Sequence, residues 1–324
     1  MSATTGDVGR PESRFAPEVL YEAARMYYME DANQAAIAAA MKVSRPTVSR
    51  LLTEARRIGM VRIEVLPPAQ TASDALAAEL ASALGVDKAY LAEGDLANRI
   101  GPGFAPMVGV ALREMGLMPG DVLLAASGRT LYELSRSELP QLPGVVVVPT
   151  VGGQAEPEPW HQTNEIARAV AERTGAHPAF VWAQALPTAE MFQMLQRDPD
   201  FQRIQRLWAS AKGAVVGVGA PPTTRGSISR FIPREDNSLA RAAGDVCLNF
   251  FDLDGNEVRF PGSEYMVGIR PAALQAIPHS VAVAAGQDKV GSIVGGARAR
   301  LFKRLVTDTR TARSVLDLLA DAAA

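Results

Sequence analysis

Residues 34–57, QAAIAAAMKVSRPTVSRLLTEARR, leave a folding chain few options. Ile37 and Met41 stand one helical turn apart, and after the Lys42-Val43 turn a second apolar face is written by Val48, Leu51, Leu52 and Ala55 at spacing i, i+3, i+4 and i+7. Ser44 occupies the position of an N-cap between the two helices. With those four residues packed inward, the other side of the second helix carries Pro46, Ser49, Arg50, Thr53 and Arg57, with Arg45 and Thr47 flanking its first turn. Two short helices joined by a tight turn, the second presenting arginines and hydroxyls, form a unit able to reach bases and phosphates. A helical hairpin used only for assembly is the competing reading, and the crowding of arginine and hydroxyl groups on one side argues against it.

The flanking sequence bounds this unit. Pro17 opens a helix, PEVLYEAARMYYM, whose Leu20, Ala23, Ala24 and Tyr27 make one stripe and supply a third wall. Asp31-Ala32-Asn33 breaks the pattern and caps the helix beginning at Gln34. Gly59 stops the third helix, and residues 60–65 alternate like a strand, a minimal wing. Pro67-Pro68 begins a stiff linker. The expected organisation is a disordered tail at 1–15, a helix-turn-helix domain at 16–66, a linker at 67–72 and a second unit at 73–324.

A formal charge of -2 over 324 residues would not by itself suggest a nucleic-acid partner. Its distribution does: within 42–62 the bases Lys42, Arg45, Arg50, Arg56, Arg57 and Arg62 face the single acid Glu54. The lone cysteine, Cys247, excludes an intramolecular disulfide and a cysteine-based zinc site, and suits a reducing cytoplasm. The opening residues MSATTGDVGRPES have neither the charge nor the apolar run of a secretion signal, and no later stretch is apolar for long enough to span a bilayer.

Beyond residue 73 helical and strand patterns alternate, which predicts an α/β unit with a largely parallel sheet. Helices are expected at 74–84, 106–115, 131–135, 164–174, 191–211, 289–302 and from Thr309. Strands are expected at 89–91, 121–126, 145–148, 214–218, 246–250, 266–269, 281–284 and 304–306. In such sheets ligands sit at the carboxyl ends of the strands, so the exit loops are the places to look. Ser127-Gly128-Arg129-Thr130 precedes a helix and offers amides, hydroxyls and a guanidinium to an anion. Gly152-Gly153, with Gln162 and Asn164 beyond, permits close backbone approach to ligand hydroxyls. The Gly217-Val218-Gly219 turn leads to Arg225 and lacks the third glycine of a dinucleotide fingerprint, so no cofactor is expected. Asp245 can accept hydrogen bonds, and Lys289 at a helix start points an ammonium toward the same rim. Each loop taken alone is equally well an ordinary turn; together they describe a polar pocket that tolerates an anion.

The segments SRPTVSRLLTEARRIGMVRIEV, SGRTL, VVVPTVGG, VGVGAP, AAGDVCLNFFDLDGNEV, VAAGQDKVGSI and LVTDTRTA stand in an order and spacing that resemble the SorC family of bacterial transcription regulators, the sugar-binding, DeoR-like branch, from Pro17 onward. The resemblance implies a small all-α helix-turn-helix domain followed by a larger α/β effector domain similar to the sugar-phosphate isomerase and deaminase fold, assembled as a homotetramer. It implies that Ser127, Gly128 and Thr130 hold a phosphate or terminal hydroxyls, that Gly152, Gly153 and Gln162 line the sugar, and that Asp245 and Lys289 contact it from the other side, with Arg225 a weaker carry-over. Two departures weigh against a phosphorylated ligand. Ala126-Ser127-Gly128-Arg129-Thr130 replaces the family's Ser-Trp-Gly-x-Thr, and Val151 stands where some members have arginine.

The resulting expectation is a regulator that binds a pseudo-palindromic operator in double-stranded DNA under control of a sugar, polyol or sugar phosphate. Gln34, Ser44, Arg45, Thr47, Ser49, Arg50 and Arg57 are its candidate DNA contacts; Arg129 and Asn164 join the effector-site residues named above. An isomerase or deaminase with an appended module is the alternative. It needs a positioned base, for which only Asp245, Asp252 or Asp254 can be nominated, and His161, His177 and His279 are scattered without a paired partner.

Overall fold

Proline at the first position and an apolar stripe on one side make α1 (Pro17–Tyr28), which with α2 (Gln34–Met41) and α3 (Arg45–Arg57) builds the first of two units, Met1–Pro68 and Ala69–Ala324. The computed structural model describes residues 13, 15–61, 71–93, 96, 100–226, 228–233 and 237–322. The core of the first unit is Leu20, Ala23 and Ala24 of α1, Ile37 of α2, and Val48, Leu51, Leu52 and Ala55 of α3. Tyr27 is only partly buried at its edge. Lys42 closes α2 in the left-handed region at φ 54°. Of the expected wing at 60–65, residues 62–65 lie outside the described residues, as do nearly all of the expected tail and most of the linker.

Helix α2 is short and largely alanine, so its start depends on a cap. Asn33 Oδ1 accepts from the N–H groups of Ala35 (3.1 Å) and Ala36 (3.0 Å). Asn33→Ala is expected to cost the first unit about 1 kcal/mol, read as a lower midpoint in chemical denaturation followed by tyrosine fluorescence. An unchanged midpoint would mean that tertiary packing alone holds α2.

The second unit runs α4 (Thr71–Leu84), β1 (Lys88–Ala92), α5 (Ile100–Glu114), β2 (Val122–Ala125), α6 (Arg129–Ser135), β3 (Val146–Pro149), α7 (Thr163–Thr174), β4 (His177–Pro178), α8 (Ala189–Leu195), α9 (Pro199–Ala209) and β5 (Gly213–Gly217). It continues with β6 (Gly244–Val246), β7 (Asn249–Phe251), β8 (Glu257–Val258), α10 (Pro271–Ala276), β9 (His279–Val283), α11 (Val290–Arg298), β10 (Arg304–Asp308) and α12 (Thr309–Asp321). Seven strands form one sheet in the order β1-β10-β9-β5-β2-β3-β4, every pairing parallel. Its inner strands are buried on both faces, which is why they read as apolar runs without alternation. A separate antiparallel sheet, β6-β7-β8, carries its own small core around Ile232, Phe250, Val258 and Phe260.

Four expectations need correction. The single helix over 191–211 is two, because Asp198 accepts from Phe201 N–H at 2.8 Å and Pro199 opens a new helix. The strand over 246–250 is a hairpin turn, with Cys247 and Leu248 both left-handed at φ 52° and 61°. Neither residue is glycine, so periodicity alone did not mark the turn. Residues 266–269 are not a strand; Gly268 forms an isolated bridge with Val151 of the main sheet's exit loop. The helix over 289–302 is a 3-10 turn, Gln287–Lys289, followed by α11, which ends at Arg298.

Candidate functional site

On the first unit, packing of Val48, Leu51, Leu52 and Ala55 turns Arg45, Ser49, Arg50 and Arg57 outward, all exposed, while Thr47 and Gln34 are half-buried. Their hydrogen bonds separate them. Arg57 is gripped by Glu54 through Nη2–Oε1 at 2.7 Å and Nε–Oε2 at 2.9 Å. Ser44 Oγ accepts from Thr47 N–H at 3.3 Å and lies 2.8 Å from Thr47 Oγ1, so those hydroxyls are engaged in capping α3. Arg45 and Arg50 make no hydrogen bond or ion pair among the described residues, which leaves both guanidinium groups available to an outside partner.

On the second unit the topology gathers what the sequence scatters. β2, β5 and β9 are neighbours, and their exit loops, reaching Ser127–Thr130, Gly217–Ala220 and Ala285–Lys289, wall a cavity of about 370 Å³. Loops at the carboxyl ends of adjacent parallel strands are where such sheets bind ligands. Arg129 lays its guanidinium over the Trp160 ring at 4.8 Å, so an aromatic group absent from the 126–130 stretch is supplied from the segment before α7. Arg225 Nη1 donates to Asp245 Oδ1 at 2.8 Å, and Asp245 Oδ2 accepts from Leu248 N–H at 3.0 Å across the hairpin turn. Lys289 is half-buried at the same wall, and burial lowers its pKa, with Asp288 opposing and Arg225 reinforcing that shift. Cys247 also lines the cavity, where burial pushes its thiol up to about 12 and makes it unreactive.

The cavity therefore brings together Ser127, Gly128, Arg129, Thr130, Arg225, Asp245 and Lys289. It does not include Gly152, Gly153, Gln162 or Asn164. β3 lies one strand further out, and its exit loop is spent on other backbone: Gly152 N–H donates to Val267 O at 2.9 Å and Gly153 N–H to Ala183 O at 2.7 Å. A Cβ on Gly152 would stand 2.6 Å from Ala183 O, so its glycine serves chain packing. Gln162 Nε2 donates to Glu156 O at 2.6 Å, and Asn164 exchanges two hydrogen bonds with the Val181 backbone. Gly128 lines the cavity, but its N–H donates to Trp160 O at 2.8 Å. In their place stand Gln154, Trp160 and His161. Their only sequence signal is a glutamine directly after the Gly-Gly pair and a Trp-His pair just before a helix.

The family described as "Putative sugar-binding domain" matches residues 69–317, most of the chain and the whole of the sheet just described. The chain belongs to the SorC family. This SorC-family chain is 29% identical over 305 residues to the deoxyribonucleoside regulator of Bacillus subtilis strain 168, covering 91% of this chain and 96% of that one. It is 28% identical over 308 residues to the sorbitol operon regulator of Klebsiella pneumoniae, covering 92% and 97%. The crystal structure of that full-length Klebsiella regulator, SorC, aligns with a TM-score of 0.71 over 94% of this chain and all of that one, at 28% identity. As a SorC-family member it is a DNA-binding transcription regulator. Among the described residues, no helix is long and apolar enough to cross a membrane.

Proposed function

We propose that the cavity at the β2-β5-β9 exits is the effector site, that its ligand is a sugar, polyol or sugar phosphate, and that occupancy controls the affinity of the α3 face for a pseudo-palindromic operator. The observation that carries this reading is the cavity's composition: hydrogen-bonding side chains and an Arg225–Asp245 pair held beside Arg129 and Lys289, where a hydroxylated ligand with or without an anionic group finds partners. Two relatives bear the names of a deoxyribonucleoside and a sorbitol operon regulator, which fits a small polyhydroxylated effector. The parallel sheet with its site at the strand ends supports likeness to the sugar-phosphate isomerase and deaminase fold. The second unit, taken from residue 73, is the effector and oligomerisation domain, and a cytoplasmic homotetramer is the assembly in which ligand selects between two arrangements of paired reading heads. The operator then has half-sites one helical turn or a multiple apart.

A thermal-shift screen over sugars, polyols and their phosphates tests the reading. A ligand at 100 times its Kd is expected to stabilise the protein by about 2.7 kcal/mol, and the same compound is expected to change the gel shift of DNA upstream of the protein's own gene. Absence of any shift across the panel would remove the effector assignment.

A further inference from the structure

Gln154 touches three side chains at once. Its Nε2 donates to Ser127 Oγ at 3.1 Å, while Oε1 accepts from the Ser229 hydroxyl and from His161 Nδ1, the latter at 2.9 Å. All four residues line the same cavity, and His161 is 7% exposed. An amide has its acceptor at one end only. With the Gln154 nitrogen turned to Ser127, the end facing His161 is oxygen, so Nδ1 carries the proton and the lone pair of the neutral imidazole is at Nε2. Among the described residues none hydrogen-bonds His161 Nε2.

We propose that His161 is a specificity-determining residue of this cavity, held by Gln154 as the Nδ1–H tautomer so that Nε2 accepts a hydroxyl of the bound molecule. The inference rests on the effector reading of the cavity and narrows it: the ligand presents a hydroxyl donor at this wall, not a phosphate oxygen, which would require a donor from the protein. Burial holds the His161 imidazole below its ordinary range and so favours the neutral form; Glu156 and Glu158 on its own segment oppose this, and Arg225 from the loop after β5 adds to it. Arg129, Lys289, Asp245 and Asp288 are the other charges lining the cavity. As pH falls through the His161 pKa, Nε2 gains a proton and the acceptor becomes a donor. Affinity for a hydroxyl at that position falls with it, whereas affinity for a phosphate oxygen there would rise.

Two measurements on the full chain decide the matter. Nitrogen-15 NMR of labelled histidine, with His161→Gln assigning the resonance, is expected to show the Nδ1–H tautomer, and Gln154→Glu is expected to raise the pKa because a carboxylate at that point favours imidazolium. An Nε2–H tautomer, or a pKa indifferent to Gln154→Glu, overturns the positioning role. Calorimetry with sorbitol, ribose and glucose 6-phosphate then reads the ligand half. Binding by the wild-type protein is expected to weaken about tenfold per pH unit below the His161 pKa. His161→Gln is expected to keep an acceptor and bind without that slope, and His161→Phe to lose binding. Binding that strengthens in acid, or that His161→Phe leaves intact, overturns the inference alone; failure of these three and of every other compound in the thermal-shift panel to bind the wild type overturns it together with the effector reading, while the tautomer result still stands on its own.

Discussion

Gly219→Ala is expected to lower the stability of the second unit by about 3 kcal/mol and to abolish the response to effector while leaving the first unit folded. A Cβ at this position would stand 1.9 Å from Arg225 Nη1 and 2.1 Å from Asp245 Oδ1, inside the ion pair itself. The side chains of the pair are 20% and 8% exposed, so water does little to replace either partner. Forcing the guanidinium away strips the Asp245 carboxylate of its hydrogen-bonded counter-ion and leaves the Leu248 N–H as its donor among the described residues, and the cost is that of breaking a buried pair. Gly217→Ala, two residues earlier on the same cavity wall, is the control: its Cβ would meet Leu131 Cδ2 at 3.6 Å, an ordinary contact, and it is expected to be tolerated. Tryptophan fluorescence during urea denaturation reads the difference cleanly, because Trp160, Trp182 and Trp208 all belong to the second unit. Equal midpoints for the two variants would show that the Arg225–Asp245 pair contributes nothing to the cavity wall.

That pair also shows what a sequence makes legible and what it hides. The helical face Val48, Leu51, Leu52, Ala55 is readable because burial repeats with the period of the helix, and each of the four is buried. The strands buried on both faces are readable as apolar runs for the same reason. Side-chain partnership has no period. Nothing in the local sequence says that Gly152 and Gly153 give their amides to the 267 and 183 backbone. The order of strands decides this: placing β5 between β2 and β9 centres the cavity on the Gly217-Val218-Gly219 turn and away from the β3 exit. Gln154 and His161 are not legible because a hydrogen-bond hub of neutral side chains carries no charge pattern or motif, and Trp160 is not because its stacking with Arg129 joins residues far apart in sequence. The Cys247-Leu248 turn is not legible because left-handed conformations normally announce themselves with glycine or asparagine.

Arg50→Ala is expected to weaken operator binding about 5- to 150-fold, the consequence of losing roughly 1–3 kcal/mol of bidentate contact to a base edge. The residue stands exposed on α3, with no ion pair or hydrogen bond of its own among the described residues, so truncation removes a group that is not holding the fold. Arg57→Ala removes a charge of the same sign from the same helix, but one already neutralised by Glu54 at 2.7 Å, and a smaller loss is expected. Gel-shift titration against the operator and single-base variants separates two roles for Arg50. If it reads a base, the variant loses discrimination at one position in each half-site while the salt dependence changes little. If it binds phosphate, affinity falls evenly across sequences and the logarithmic salt slope drops by about one. Undiminished affinity in Arg50→Ala would remove this residue from the reading face and leave Arg45, the other exposed guanidinium without a described partner, to carry the contact alone.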